Sequence, residues 1–261
     1  GLDWDEGPDV GGPVGPYDQS ERTDFYREAL DRLDEKGLVF RCYCSRKDVR
    51  EAASAPHGPH GVIYPGTCRF LTSEEEAEVR EEKPDKTPSW RYRVSASEVS
   101  LEDVVKGDYS QDLAEEVGDF VVRRADALFA YQLAVVVDDA LMGMTDVLRG
   151  DDLLGSTPRQ LELYDALDLP TPTFWHVPLM HDDEGNRMSK RERSTSIAVL
   201  RDDEGASPEE VVGQLASSVG LVDPGAVLSA DELLEELTPT RFRDALREAS
   251  QSTDVENDSD G

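Results

Sequence analysis

The apolar run Phe174-Trp175-His176-Val177-Pro178-Leu179-Met180 constrains this chain most. It is short and bounded by polar turn residues, so it reads as a buried strand ending at Pro178 or just after. The turn-rich Asp182-Asp183-Glu184-Gly185-Asn186 follows, and then the basic cluster Arg187-Met188-Ser189-Lys190-Arg191. The basic residues therefore ride on an exposed loop at a strand end. In an open α/β sheet that edge is where ligands bind. Such a loop suits a triphosphate whose negative charge shifts during reaction; the alternative is a solvated basic turn.

The rest of the pattern agrees with an α/β chain. In residues 19–36 the apolar Phe25, Tyr26, Ala29, Leu30 and Leu33 recur at helical spacing, and Gly37 supplies a stop. Residues 38–40 read as a strand leading into the cysteines, and 90–94 alternate as a half-exposed strand does. Ser45-x-x-Asp48, Thr72 ahead of three glutamates, Thr157-Pro158-Arg159-Gln160 and Ser207-Pro208-Glu209-Glu210 each look like a capping box. Residues 145–148 read as a strand delivering Arg149 at its carboxyl end, where a guanidinium could hold a substrate carboxylate bidentately. Periodicity does not separate helix from strand over 129–139. Taken singly, Tyr131 reads as core more readily than as a ligand, Arg149 could equally be a surface ion-pair partner, and Asp138-Asp139 a cap or solvated pair.

All three cysteines fall in one window, Cys42, Cys44 and Cys68. Their odd number, with no signal-peptide pattern, argues against a disulfide framework. Three thiols this close suggest zinc, which needs four ligands in a structural site. Ligand chemistry nominates His57 or His60 as the fourth; ordinary buried cysteines are the alternative.

Composition bears on partners. The formal net charge is -30, from 57 acidic against 27 basic residues. That normally argues against nucleic acid. The acids are spread along the chain, however, which fits a hydrated acidic surface of the halophilic type, where salt screens self-repulsion. Local arginine clusters then matter more than bulk charge. No apolar run approaches a membrane span, and the expectation is a cytoplasmic protein with no membrane contact and no stable protein partner.

The loop Arg187-Met188-Ser189-Lys190-Arg191 resembles the KMSKS signature of class I aminoacyl-tRNA synthetases, with Arg187 for the first lysine and Lys190 intact. The stretch Arg123-Arg124-Ala125-Asp126-Ala127-Leu128-Phe129-Ala130-Tyr131-Gln132, followed by Asp138-Asp139 and Arg149-Gly150, resembles the glutamyl type of that class. Within it, the chain looks like the short branch that glutamylates the queuosine base of tRNA(Asp). The resemblance implies a Rossmann-like catalytic core with an inserted zinc-binding connective module and a short helical C-terminal region. It also implies a helix over 129–139. Tyr131 and Arg149 would bind L-glutamate, Lys190 would act in catalysis, and Arg187, Met188, Ser189, Lys190 and Arg191 would bind ATP, with magnesium accompanying it. Tyr64-Pro65-Gly66-Thr67-Cys68 matches the family's Tyr-x-x-x-Cys, which places Tyr64 ahead of either histidine as the fourth ligand beside Cys42, Cys44 and Cys68. The partners implied are L-glutamate, ATP and queuosine-bearing tRNA(Asp).

The expected organisation is core at 1–40, module at 41–116, second core half at 117–191, helices at 192–249 and a disordered acidic tail at 250–261. The sequence starts after the point where the family's HIGH-type turn stands. Two other readings are a shortened glutamyl-tRNA synthetase charging tRNA(Glu), and a non-catalytic tRNA-binding relic.

Overall fold

The computed structural model of the protein describes residues 3–52, 62–95, 98–180, 197–203 and 205–258. Helix α1 (Thr23–Glu35) buries Tyr26, Ala29, Leu30 and Leu33, the face expected from the spacing. Gly37 then turns the chain at φ +68°, a left-handed conformation that favours glycine. Phe25, assigned to the same face, is instead 39% exposed, with the Arg22 guanidinium 5.0 Å from its ring.

Strand β1 (Val39–Cys42) pairs antiparallel with β2 (Ser89–Tyr92), which pairs with β5 (Val121–Arg123). Between β1 and β2 lie helices α2 (Arg46–Ala52) and α3 (Ser73–Glu82). Both start as expected: Ser45 and Asp48 bond reciprocally, and Thr72 and Glu75 form a capping box.

The hairpin β3 (Glu98–Asp103) and β4 (Gly107–Asp112) follows, then the short helix α4 (Leu113–Glu116). The stretch 41–116, expected as one module, packs in two places. Its first part packs Cys42, Tyr43, Tyr64 and Cys68 with Phe40 into a small core. The turn of the hairpin meets β7 (Thr173–Val177), where Val104 N–H donates to the Phe174 carbonyl at 3.0 Å.

Helix α5 (Tyr131–Met142) settles the 129–139 ambiguity in favour of a helix, ended by Gly143 at φ +71°. Strand β6 (Asp146–Gly150) and β7 (Thr173–Val177) form a parallel pair with helix α6 (Thr157–Ala166) as the crossover. Among the described residues this is the only parallel pairing. Helices α7 (Ile197–Asp202), α8 (Pro208–Ser218), α9 (Ala230–Glu236) and α10 (Pro239–Asp258) complete the chain. Ser207 caps α8 in the expected box with Glu210. Helix α10 continues past 249, where the sequence pattern ends it, to Asp258. It meets β7 through Phe242, whose ring lies tilted 6.2 Å from Trp175, and the β3–β4 turn through Arg247, which donates to the Val104 carbonyl at 2.7 Å. No helix among the described residues is long and apolar enough to cross a membrane.

The main core joins α1, α5, α6 and the three-stranded sheet, with Leu33, Leu133, Leu163 and Leu167 wholly buried. Each such leucine contributes about 1.5–3 kcal/mol. At its edge Asp138 accepts from Arg22 Nε (2.5 Å), the Tyr26 hydroxyl (2.8 Å) and Gln19 Nε2 (2.9 Å). A buried ion pair is close to neutral as a net stabiliser. The leucines therefore hold α1 against α5, and Asp138 fixes how they align.

Candidate substrate site and cysteine cluster

Arg149 stands one residue before the end of β6, directly opposite His176 of β7 in the parallel register. Its Nε donates to His176 Nε2 at 3.0 Å. Its Nη2 donates to the Thr157 hydroxyl and to Gln160 Oε1, both at 2.8 Å. A guanidinium carries five N–H donors, so those left for a ligand are on Nη1. The bidentate grip expected from the sequence would need two nitrogens. Here Nε and Nη2 are engaged inside the protein, leaving the two N–H groups of one nitrogen to meet a ligand.

Tyr131, the first residue of α5, is 46% exposed, with its phenol near enough to Arg149 to act on its charge. The Arg149 guanidinium lies 5.2 Å from the Phe174 ring centroid. Burial lowers the Arg149 pKa from its ordinary value; Tyr131, Asp139 and Tyr164 act in the opposite sense. Asp139 is pushed up, by burial first and by Asp138, against the opposing hydrogen bond from Tyr164 and the charge of Arg149. Tyr164 donates to Asp139 Oδ2 at 3.2 Å. Asp138 and Asp139 are thus neither a cap nor a solvated pair: one clasps α1, and the other faces the arginine.

The residues behind Arg149 are the ones sequence reading misses. Thr157 and Gln160 fit a capping box on paper, but Thr157 is the first residue inside α6 and its predecessor Ser156 makes no side-chain cap. The Thr157 hydroxyl and the Gln160 amide turn to Arg149 instead, and Gln160 Nε2 also donates to Gln132 Oε1 at 2.8 Å. His176 is wholly buried, with Nδ1 2.6 Å from Oδ2 of the equally buried Asp103. Asp103 lies at the turn of the β3–β4 hairpin, where its Oδ1 accepts from the backbone N–H groups of Val105 (3.0 Å) and Lys106 (2.8 Å). Burial would raise this carboxyl, but the bonds from the His176 ring and from the Lys106, Val105 and His176 N–H groups outweigh it and hold it below its ordinary range. The available signals were a histidine in a strand otherwise apolar and an aspartate just before a turn.

The second cluster lies at the end of β1. The sulfurs of Cys42, Cys44 and Cys68 fall within 4.8 Å of one another, and all three cysteines are free. The Tyr64 hydroxyl is 3.4 Å from Cys42 Sγ and 3.9 Å from Cys44 Sγ, and it accepts the Cys68 N–H at 2.7 Å. A tetrahedral zinc with bonds of about 2.3 Å sets sulfurs about 3.8 Å apart. Cys44 and Cys68 are 3.7 Å apart. The three thiols could hold a divalent cation, and the Tyr64 hydroxyl stands beside them. The Cys42 thiol is lowered to about 4, chiefly by a hydrogen bond from Cys68, whose own thiol is pushed up. Arg91 lies 4.0 Å from the Tyr64 ring centroid and adds positive charge.

Tyr131 and Arg149 are therefore brought together, as are Cys42, Cys44, Tyr64 and Cys68. Arg187, Met188, Ser189, Lys190 and Arg191 lie outside the described residues, as do His57 and His60.

Residues 1–240 match the family described as tRNA synthetases class I (E and Q), catalytic domain. The chain belongs to this class I synthetase family. Within the family, glutamyl-Q tRNA(Asp) synthetases from Symbiobacterium thermophilum and Nocardia farcinica are similar to it. The first is 52% identical over 236 residues, spanning 90% of this chain and 72% of the relative. The second is 43% identical, spanning 93% and 71%. Glutamate–tRNA ligase 1 of Halorhodospira halophila is 42% identical over 94% of this chain but only 51% of its own length. The solved glutamate-tRNA synthetase of Elizabethkingia anophelis overlays on 90% of the chain and 52% of its own, with a TM-score of 0.72 at 23% identity. That overlay establishes the class I synthetase fold, which antiparallel β1–β2–β5 pairing and the one parallel pair among the described residues would not by themselves reveal.

Proposed function

We propose that this class I synthetase activates L-glutamate with ATP and transfers it to the queuosine base of tRNA(Asp). The observation that carries the reading is the likeness to relatives named glutamyl-Q tRNA(Asp) synthetase, at up to 52% identity over nine-tenths of the chain. The neighbouring Tyr131 and Arg149 support it. An arginine held by His176, Thr157 and Gln160 beside a phenol can donate to a carboxylate.

In this reading a carboxylate oxygen of glutamate attacks the α-phosphorus of ATP, the bond to the bridging oxygen of pyrophosphate breaks, and glutamyl-adenylate forms. A hydroxyl on the tRNA base then attacks the acyl carbon, AMP leaves, and an ester results. Tyr131 and Arg149 hold and orient glutamate, and positioning of this kind is a large share of such catalysis. Arg187, Met188, Ser189, Lys190 and Arg191 hold ATP, with Lys190 facing the departing pyrophosphate and magnesium accompanying the nucleotide. Cys42, Cys44, Tyr64 and Cys68 would hold zinc, which would supply a structural crosslink rather than chemistry.

The test is transfer of labelled glutamate by the intact protein to tRNA(Asp) with queuosine, tRNA(Asp) without it, and tRNA(Glu). Labelling of the first alone is expected. Charging of tRNA(Glu) would replace this reading with that of a glutamyl-tRNA synthetase, which the Halorhodospira halophila likeness keeps as the second candidate.

A further inference from the structure

We infer that Asp103 and His176 form a positioning pair that sets the orientation of Arg149 toward its ligand. The inference rests on the reading of Arg149 as a glutamate-binding residue. Asp103 receives hydrogen bonds from two turn amides and from His176 N–H (3.2 Å), as well as facing the ring nitrogen at 2.6 Å. A carboxylate so supplied accepts, so the proton between them sits on His176 Nδ1. The neutral ring then has a bare Nε2, which is what Arg149 Nε–H needs, 3.0 Å away. Reversing the tautomer would set an N–H of the histidine against an N–H of the arginine. The ring has no room to turn out of this arrangement. It is wholly buried and stacked near Phe174, with the Thr157 hydroxyl 3.1 Å from Nε2.

The consequence reaches the ligand. With Nε fixed by His176 and Nη2 fixed by Thr157 and Gln160, the guanidinium plane has one orientation, and Nη1 alone points away from these partners. Fixing the plane beforehand removes the ordering cost that a free arginine would incur on binding a carboxylate. The hairpin turn that carries Asp103 is thereby tied to the substrate site. Lys106 of the same turn reinforces the tie through an ion pair with Asp151, 2.9 Å away, just beyond the end of β6.

Two substitutions separate positioning from mere packing. His176→Asn keeps a donor where Nδ1 was, and so keeps Asp103, but removes the acceptor for Arg149. His176→Gln reaches the Nε2 position with an acceptor and gives up the Asp103 bond. In ATP–pyrophosphate exchange by the intact protein, His176→Asn is expected to raise the KM for L-glutamate at least tenfold with the KM for ATP unchanged. His176→Gln is expected to recover most of that loss. Should His176→Asn fail to fold, Asp103→Asn serves, since its amide no longer dictates the tautomer and should produce the same selective rise. An unchanged glutamate KM in the folded variant, or equal rises for glutamate and ATP, would overturn the inference. Arg149→Lys is measured alongside. If that variant binds glutamate normally, the reading of Arg149 itself has failed; if only the His176 result is negative, the positioning pair alone has failed.

Discussion

Arg149 and His176 are register partners on adjacent parallel strands, and their side chains meet end to end at 3.0 Å with no solvent on the histidine side. A strand pair places every residue beside one neighbour, so a functional side chain at a strand end inherits its support from the next strand. Here that support continues to Asp103, 73 residues earlier in the chain.

Asp103→Asn should cost stability in a pH-dependent way. The folded carboxyl lies below its ordinary value of 3.8, held there by its hydrogen bonds against burial. A depressed acid adds stability that is complete above the unfolded pKa and is lost as pH falls through the folded one. Urea unfolding should therefore show the variant weaker by about 1.5–3 kcal/mol at neutral pH, with the gap closing under acid below 3.8. The difference between the two proteins is the quantity to follow. Asp119 and Asp139 are shifted upward by burial, so they titrate in the opposite sense in both. A gap independent of pH would show that the carboxylate charge is not what matters.

Asp138→Ala should unfold more readily by about 3–5 kcal/mol, because it leaves the Arg22 guanidinium buried without its counter-charge. Arg22 is 1% exposed, and its Nη1 also donates to the Pro16 carbonyl at 2.8 Å. Changing both partners to apolar residues of similar size should recover much of that loss. Chemical denaturation of the single and double variants checks both statements.

Much of the local architecture was legible because its causes are local. The helical spacing of Tyr26, Ala29, Leu30 and Leu33 and the boxes at Thr72 and Ser207 rest on residues within a few positions of each other. The same logic misread Thr157 and Gln160, whose side chains satisfy a distant arginine rather than the start of their own helix. Phe25 fits the helical face by number but lies under Arg22 at its edge. Asp103 and His176 were invisible as a pair, since neither spacing nor composition records a hairpin turn folding back onto a later strand. Arg149 was legible from its place at a strand end, though equally as a surface ion-pair partner, whereas Tyr131 was nominated by family resemblance against a reading as core.

Zinc binding is checked by metal analysis. The purified protein should carry one zinc, and Cys44→Ser should lose it. Tyr64→Phe should weaken zinc binding while His57→Ala and His60→Ala leave it unchanged. Chelation should lower the melting temperature, as expected of a structural ion. A histidine variant that loses zinc while Tyr64→Phe keeps it would remove Tyr64 from the ligand set.

Lys190→Ala in the intact protein should cut adenylate formation roughly 100-fold or more, the scale for a lost charge at a developing anion. Its melting temperature should stay the same. Pyrophosphate exchange and a thermal scan on one preparation decide it; full activity would exclude the lysine from the reaction.

The most direct measurement is calorimetric titration of L-glutamate into the intact protein, its Arg149→Lys variant and its Tyr131→Phe variant, each folded as judged by melting. The account predicts binding by the parent, at least tenfold weaker binding by Arg149→Lys, a smaller weakening by Tyr131→Phe, and unaltered ATP binding in all three. Equal glutamate affinity in parent and Arg149→Lys would contradict it.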